Sequence, residues 1–324
     1  MEKVKWGIIG CGNVTEVKSG PAFNKIKNSE LVAVMRRNGE LARDYAKRHN
    51  VSKWYDNADK LINDTDINAV YIATPPDTHA YYTLKVAEAG KPVYVEKPMA
   101  RNYNECLLMI EACKINKFPL FVAYYRRRLP LFLKVKELID SNTIGKIEFV
   151  NIRLQVPQKE SDYRTSKPWR VIPSISGGGH FVDLASHQLD YLDYLFGPIA
   201  FTKSITKNIS KLYEAEDYVS AIFEFDKGII GNGIWSFTLN ENKREDKIEI
   251  VGAKGKILFS TFEQEPIRLI TKNEEKIIYE NFPANIQMPL IETIISELTG
   301  IGECPSKGES ASRTSRIIDS ILMK

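Results

Sequence analysis

Long apolar runs, clustered cysteines, abundant histidine and blocks of like charge are all missing from this 324-residue chain. Without an 18-residue apolar stretch, no ordinary membrane-spanning helix is expected. The four cysteines, Cys11, Cys106, Cys113 and Cys304, have neither metal-ligand spacing nor the density of a disulfide scaffold. Histidine is equally scarce, with four residues, and no Ser–His pair, zinc-ligand set or Walker lysine offers a competing chemistry. The 45 basic and 41 acidic residues nearly balance at a net charge of +4, and no long basic block occurs. A nucleic-acid partner is therefore not expected. Met1-Glu2-Lys3 runs into a strand-like segment without a signal-peptide pattern, so the expectation is a reduced, cytoplasmic protein without a membrane anchor or structural metal.

What is present is the composition of a soluble globular protein, 43% apolar and 27% charged, at a length that implies two domains. In the first third, short β-branched runs alternate with amphipathic segments. Val4 to Ile9, Leu31 to Met35, Ala69 to Ala73, Val93 to Val95 and Leu120 to Ala123 read as strands, with helical patterns at Glu40 to Lys47 and Thr83 to Ala89. Such alternation predicts an α/β fold with a doubly wound parallel sheet, here a Rossmann domain over residues 1–124. From about residue 145 the runs lengthen: Glu148 to Val156, Tyr218 to Phe225, Ile229 to Phe237, Lys247 to Val251, Lys256 to Phe259, Ile267 to Thr271 and Lys276 to Tyr279. They predict an α+β domain over residues 125–324 with a large open, mainly antiparallel sheet. Helices are expected at Phe181 to Phe196, Pro289 to Leu298 and Ser310 to Met323, with the C-terminal ones free to pack back on the first domain.

Gly10-Cys11-Gly12 follows the first strand at once, the position a dinucleotide fingerprint requires. The first glycine permits the tight turn and the second lets backbone N–H groups approach a pyrophosphate. Thr15 stands where a third small residue belongs, so closer packing is forfeited there. The second strand ends in Val34-Met35-Arg36-Arg37-Asn38, without the carboxylate that usually receives the ribose hydroxyls of NAD. Two guanidiniums at that place suit a 2′-phosphate, which predicts NADP(H) in preference to NAD(H). Thr74 and Pro75 close the third predicted strand beside the cofactor groove, and His79 is assigned either to capping a helix or to touching the cofactor.

Glu96-Lys97-Pro98 ends an apolar strand, where a lysine points at ligand in a parallel sheet. Further on, Gly177-Gly178-Gly179 opens a helix on which Asp183, His187, Asp190 and Tyr194 share one stripe. A carboxylate one turn from an imidazole suits acid–base work near neutrality, whereas His180 is assigned to local structure. Together these parts describe hydride transfer: Lys97 stabilises charge on the reacting oxygen, and His187 donates or accepts its proton, with Asp183 assisting.

The landmarks resemble the glucose–fructose oxidoreductase/inositol dehydrogenase (Gfo/Idh/MocA) family along the whole chain. They include Gly7-Ile8-Ile9-Gly10-Cys11-Gly12-Asn13, Ala73-Thr74-Pro75-Pro76-Asp77-Thr78-His79, Gly90-Lys91-Pro92-Val93-Tyr94-Val95-Glu96-Lys97-Pro98, Trp169-Arg170, and Gly177-Gly178-Gly179 leading to Asp183, His187 and Asp190. Arg128 departs from an aromatic residue common in the family, Thr15 from a smaller one, and Arg36 from the acidic residue of NAD-dependent members. The resemblance implies catalytic Lys97 and His187 with Asp183 assisting, on a sugar, cyclitol or related carbonyl compound. Cofactor contacts are expected from Gly10, Gly12, Asn13, Val14, Arg36, Arg37, Thr74, Pro75, His79, Glu96 and Lys97, with orientation of Lys97 the alternative role for Glu96. Substrate contacts are expected from Tyr125, Trp169, Arg170, Asp183 and His187, and a homodimer or homotetramer is expected through the C-terminal sheet. Two other functions compete: a non-catalytic dinucleotide sensor, and a glycosidase that uses NAD transiently.

Overall fold

The computed structural model describes residues 1–239 and 244–323. It comprises two compact units, Met1–Arg127 with Pro283–Ser312, and Arg128–Phe282 with the chain from Arg313 on. The division is therefore not one cut after Tyr124. Residues 283–312 return to the first unit, where Asn285 and Gln287 hydrogen-bond the carbonyls of Val17 and Lys18.

The first unit is built on six strands, β1 Val4–Ile9, β2 Ser29–Met35, β3 Lys53–Tyr55, β4 Ala69–Ile72, β5 Val93–Val95 and β6 Leu120–Val122. They are all parallel, in the order β3-β2-β1-β4-β5-β6. Strand order reverses between β1 and β4, so the carboxyl ends of those strands form the crevice where such sheets bind ligand. Because side chains alternate across a strand, the sheet has two unlike faces. Val70, Ile72, Val93 and Val95 join an aliphatic core on one. Tyr71 and Tyr94 stack at 4.6 Å, with Trp6 and Phe23 in the same aromatic cluster. Helix Met288–Leu298 buries the stripe Leu290, Ile291, Ile294 and Ile295 in this unit.

The second unit carries eight strands, β7 Ile147–Pro157, β8 Ile199–Lys207, β9 Tyr218–Phe225, β10 Ile230–Leu239, β11 Glu245–Gly252, β12 Gly255–Phe259, β13 Ile267–Thr271 and β14 Glu275–Ile278. Their order is β14-β13-β12-β11-β7-β10-β9-β8, antiparallel except for the parallel pair β7–β10. Alternation along β7 buries Val150, Ile152 and Leu154 and leaves Phe149 and Arg153 outside. Helix Gly179–Phe196 packs on the buried face, with Phe181 against Trp235 and Phe196 against Phe225. The expected fold class is thus the one observed.

Among the described residues, several elements go unmarked by periodicity, and three show why. Only Ile199 of the edge strand β8 is buried, so no apolar alternation announces it. β3 has three residues, none of them buried. Helix Tyr103–Ile115 buries Cys106, Met109 and Cys113 yet exposes Leu107, Leu108 and Ile115, which flattens its 3.6-residue pattern.

Candidate active site

The turn after β1 is built around Gly10. Its φ is +93°, and a Cβ there would lie 2.8 Å from Thr74 Cγ2 and 3.0 Å from the Ala73 carbonyl carbon. Only glycine meets both conditions. The N–H groups of Gly10 and Cys11 donate to the Met35 carbonyl at 2.9 and 3.2 Å, which pins the turn to the end of β2. Gly12 differs: its backbone is extended, and a Cβ would meet only Gly10 O at 3.8 Å. Asn13 and Val14 begin a one-turn helix, Asn13–Val17, with Asn13 exposed and Val14 half-buried. Thr15 does not loosen this packing. It is buried, its hydroxyl donates to Gly12 O at 2.8 Å, and Gly20 supplies the missing space, since a Cβ on Gly20 would lie 2.2 Å from Thr15 O. Burial pushes the Cys11 thiol up to about 11, against the opposing charge of Arg36, so this cysteine is a protonated filler at neutral pH.

β2 ends at Met35, and Arg36 and Arg37 follow as exposed residues. Asn38 caps helix Gly39–Arg48 by accepting from Leu41 N at 3.1 Å, which accounts for an amide at a position where a ribose-binding acid is otherwise possible. At the end of β4, Thr78 Oγ1 donates to Thr74 Oγ1 at 2.8 Å and lies 3.0 Å from Pro75 O, closing that loop on itself.

His79 takes neither of its expected roles. It is wholly buried, with Nδ1 3.1 Å from Pro98 O and 3.2 Å from Met99 O, and Nε2 2.8 Å from Thr74 O. The imidazole ties the Thr74 loop to the Lys97 turn and offers no edge to a cofactor. Burial holds its pKa below the ordinary value, with the carbonyls acting in the other direction. Glu96 joins the same turn. It is buried, its Oε1 accepts from Tyr71 OH and Gln287 Nε2, each at 2.6 Å, and its Oε2 accepts from Lys97 N at 3.1 Å. A carboxylate so occupied is placed to orient Lys97, the first of its two expected roles. Lys97 itself is half-buried, and its bond to Pro98 is cis. Tyr125 is buried at the start of a short 3-10 segment, with the Arg126 guanidinium 5.0 Å from its ring centre.

In the second unit, Gly177, Gly178 and Gly179 all have positive φ, and a Cβ on Gly179 would lie 2.5 Å from Ala215 Cβ. Ser176 Oγ accepts from Gly178 N and Gly179 N at 3.2 Å each, closing the turn that launches helix Gly179–Phe196. Asp183, His187, Asp190 and Tyr194 all lie on this one helix at the expected spacing, with His187 and Asp190 buried. Asp183 lies 3.4 Å from Arg170 Nε, and the Arg170 guanidinium covers the Trp169 ring at 4.3 Å. The His187 ring meets Phe262 edge-on at 5.9 Å, Asp190 accepts from Thr314 at 3.4 Å, and Lys136 lies over the Tyr194 ring. Residues outside the stripe are polar and buried too: Gln188 bridges Trp235 and Thr261, and Asp193 pairs with Arg313. His180 is structural, 3.0 Å from the buried Asp162 carboxylate, with burial holding its pKa below the ordinary value.

Gln287, Asp162 and Arg313 escape sequence reasoning because no motif surrounds them and Glu96, His180 and Asp193, to which they bond, lie at least 18 residues away. Among the described residues, no group of three or more His, Cys, Asp or Glu side chains is placed to hold a metal ion.

Residues 4–124 match the model of an oxidoreductase family with an NAD-binding Rossmann fold, and residues 132–258 match that of the GFO/IDH/MocA C-terminal domain. Oxidoreductase P35 of Formosa agariphila is 42% identical over 323 residues, 98% of each chain. The scyllo-inositol 2-dehydrogenase (NAD(+)) of Bacillus subtilis is 24% identical over 314 residues, 95% of this chain and 88% of its own. A solved levoglucosan dehydrogenase in complex with NADH has the same fold, with a TM-score of 0.90 at 21% identity, covering 99% of this chain and 96% of its own.

Proposed function

The chain belongs to the Gfo/Idh/MocA oxidoreductase family, and from that premise we propose that it is an NADP(H)-dependent dehydrogenase or reductase acting on an alcohol or ketone of a sugar-like, cyclitol or diol compound. One observation carries the reading: a glycine turn pinned to the end of a strand that continues into Arg36-Arg37-Asn38, without a carboxylate. The residues fit a dinucleotide. Open space over Gly12 suits a pyrophosphate at the backbone, and the exposed Arg36 and Arg37 suit a 2′-phosphate through charge-assisted hydrogen bonds. NAD(H) lacks that phosphate and is the weaker ligand. Asn13, Val14, Thr74 and Pro75 complete the cofactor contacts.

When bound, nicotinamide gives or accepts the hydride. The Lys97 ammonium donates to the reacting oxygen and stabilises the negative charge that develops there. His187 gives a proton to the new hydroxyl in reduction and takes one in oxidation, with Asp183 assisting and Tyr125, Trp169 and Arg170 contacting substrate. Support for Lys97 comes from Glu96, whose buried carboxylate holds the lysine's own N–H. Relatives named for inositol and levoglucosan favour a polyol or sugar substrate. Exposed Phe149, Ile222 and Ile230 on adjacent strands of the second sheet favour a homodimer or homotetramer formed through it, and four buried cysteines suit a reducing cytoplasm.

Fluorescence titration with NADPH and NADH tests the cofactor assignment, and equal affinity or a preference for NADH would overturn it. Light scattering tests the assembly; a monomer at micromolar concentration would contradict it.

A further inference from the structure

Gln287 occupies the N-cap position of helix Met288–Leu298, yet its side chain makes no bond to that helix. It is wholly buried and turned instead toward β4 and β5. Its Nε2 donates to Glu96 Oε1 at 2.6 Å, and its Oε1 accepts from Tyr94 OH at 2.9 Å. Glutamine is not a favoured N-cap, so helix formation does not account for it. Its main-chain N–H donates to Lys18 O at 3.1 Å, while Asn285 Nδ2 donates to Val17 O at 2.6 Å. Lys25 Nζ in turn donates to Asn285 Oδ1 at 2.7 Å. One short segment therefore grips the helical turn behind Gly12 with the Asn285 side chain and the Gln287 N–H, and the carboxylate beneath Lys97 with the Gln287 side chain.

We propose that Gln287 is a positioning residue for Lys97, acting through Glu96, and that the 285–287 segment holds the glycine-turn helix and the Lys97 turn in one register. The two Glu96 oxygens accept from Tyr71 OH and the Gln287 amide on Oε1 and from the Lys97 N–H on Oε2. Substituting Gln287 with leucine takes the amide donor from Oε1 while the Tyr71 hydroxyl stays. In a buried site a carboxylate short of donors rotates or draws in water. Either response moves Oε2, and with it the main chain from which Lys97 extends. Catalytic groups displaced by about 1 Å lose roughly 10²-fold in rate, so a small rotation is enough.

The inference rests on reading Lys97 as the group at the reacting oxygen, and the test keeps the two apart. Gln287→Leu preserves bulk and removes the amide; Leu290→Ala loosens the same helix without touching Glu96. Amide hydrogen exchange of the 93–100 segment is followed on the full chain without substrate or cofactor, and kcat and the KM for NADPH are measured separately. Gln287→Leu should speed exchange at the Lys97 amide by about tenfold or more and lower kcat by about tenfold or more, with KM for NADPH changed less than about threefold. Leu290→Ala should leave Lys97 exchange and kcat within about twofold at temperatures where it is folded. Unchanged Lys97 exchange in Gln287→Leu, or equal effects of the two substitutions, would overturn the proposal.

If Gln287→Leu fails to fold, Gln287→Glu serves in its place. Protonated, the new carboxyl can donate to Glu96 as the amide does; ionised, it repels it. Lys97 exchange and kcat in that variant should then recover as pH is lowered, and pH-independent behaviour would count against the proposal. Wild-type turnover in Lys97→Met overturns the positioned role itself, and the exchange data identify which part failed.

Discussion

Gly10 and Gly12 lie two residues apart, and substituting each with alanine should produce opposite defects. At Gly10 a methyl group would sit 2.8 Å from Thr74 Cγ2 and 3.0 Å from main-chain atoms of Ala73 and Thr74, on a residue with φ +93°. Forcing an L-residue into that region destabilises by about 1–2 kcal/mol, and overpacking against main chain adds about 1–3 kcal/mol. Gly10→Ala should therefore lose about 2–5 kcal/mol, or roughly 4–20 °C in Tm, without any cofactor present. At Gly12 the backbone is extended with φ −132°, and the nearest atom to a Cβ is Gly10 O at 3.8 Å. Gly12→Ala should leave the stability of the ligand-free protein within about 1 kcal/mol of wild type, with lower unfolded-state entropy acting in its favour.

The same methyl would fill the space through which a pyrophosphate reaches the backbone N–H groups. Losing two charge-assisted hydrogen bonds of about 1.5 kcal/mol each raises Kd by roughly 100-fold. Thermal melts with and without NADPH read both effects at once. At a concentration 100 times the wild-type Kd, the cofactor stabilises wild type by about 2.7 kcal/mol but Gly12→Ala by only about 0.4 kcal/mol. A Gly12→Ala protein that binds NADPH like wild type would refute the placement of the cofactor at this turn. A ligand-free Gly10→Ala protein as stable as wild type would refute the close approach of Gly10 to Thr74.

Arg36→Ala should weaken NADPH binding roughly 10- to 150-fold, the equivalent of about 1.5–3 kcal/mol for one charged hydrogen-bonding contact, while NADH binding changes little; equal losses for both would argue against a phosphate contact. Lys97→Met should abolish turnover with NADPH affinity retained, and His187→Ala should lower kcat by roughly 10²–10⁴; a change confined to KM would make His187 a binding residue. His79 and His180 are both held below the ordinary pKa by burial. Their contribution to stability is therefore present above about 6.5, the value for an unperturbed histidine, and lost as pH falls below it. The Tm of wild type should drop between about pH 6.5 and 5, and a His79→Gln/His180→Gln double variant with an equally steep drop would contradict that assignment.

The fold was legible where burial leaves a period in the sequence. β7 and β9 alternate cleanly because one face of their sheet is covered, and β1, β4 and β5 read as continuous apolar runs because both faces are. Where burial does not sort residues by type, the pattern fails, as in β8, whose residues after Ile199 all reach solvent. At the candidate site, Gly10 and Gly179 were readable because positive φ and close approach leave no other residue possible, whereas neither condition applies at Gly12. His79 and Glu96 were legible only as alternatives, since their chemistry suits ligand contact and internal struts equally well. His79 and Glu96 were resolved only by their partners, Pro98 O and Thr74 O for one, Tyr71, Gln287 and Lys97 N for the other. Helical spacing places Asp183 to Tyr194 on one side of their helix but does not mark which of them are buried, and Gln188 and Asp193, off that stripe, are buried and polar as well.

The most direct measurement is steady-state turnover of the wild-type protein with NADP⁺ and with NAD⁺ over a panel of sugars, inositols and diols, read from the absorbance of reduced nicotinamide. At least one polyol or sugar is expected to be oxidised, with kcat/KM for NADP⁺ exceeding that for NAD⁺ by about tenfold or more. Tight NADPH binding without an absorbance change in either direction, for any alcohol or its ketone, would contradict the enzyme reading and leave a dinucleotide sensor.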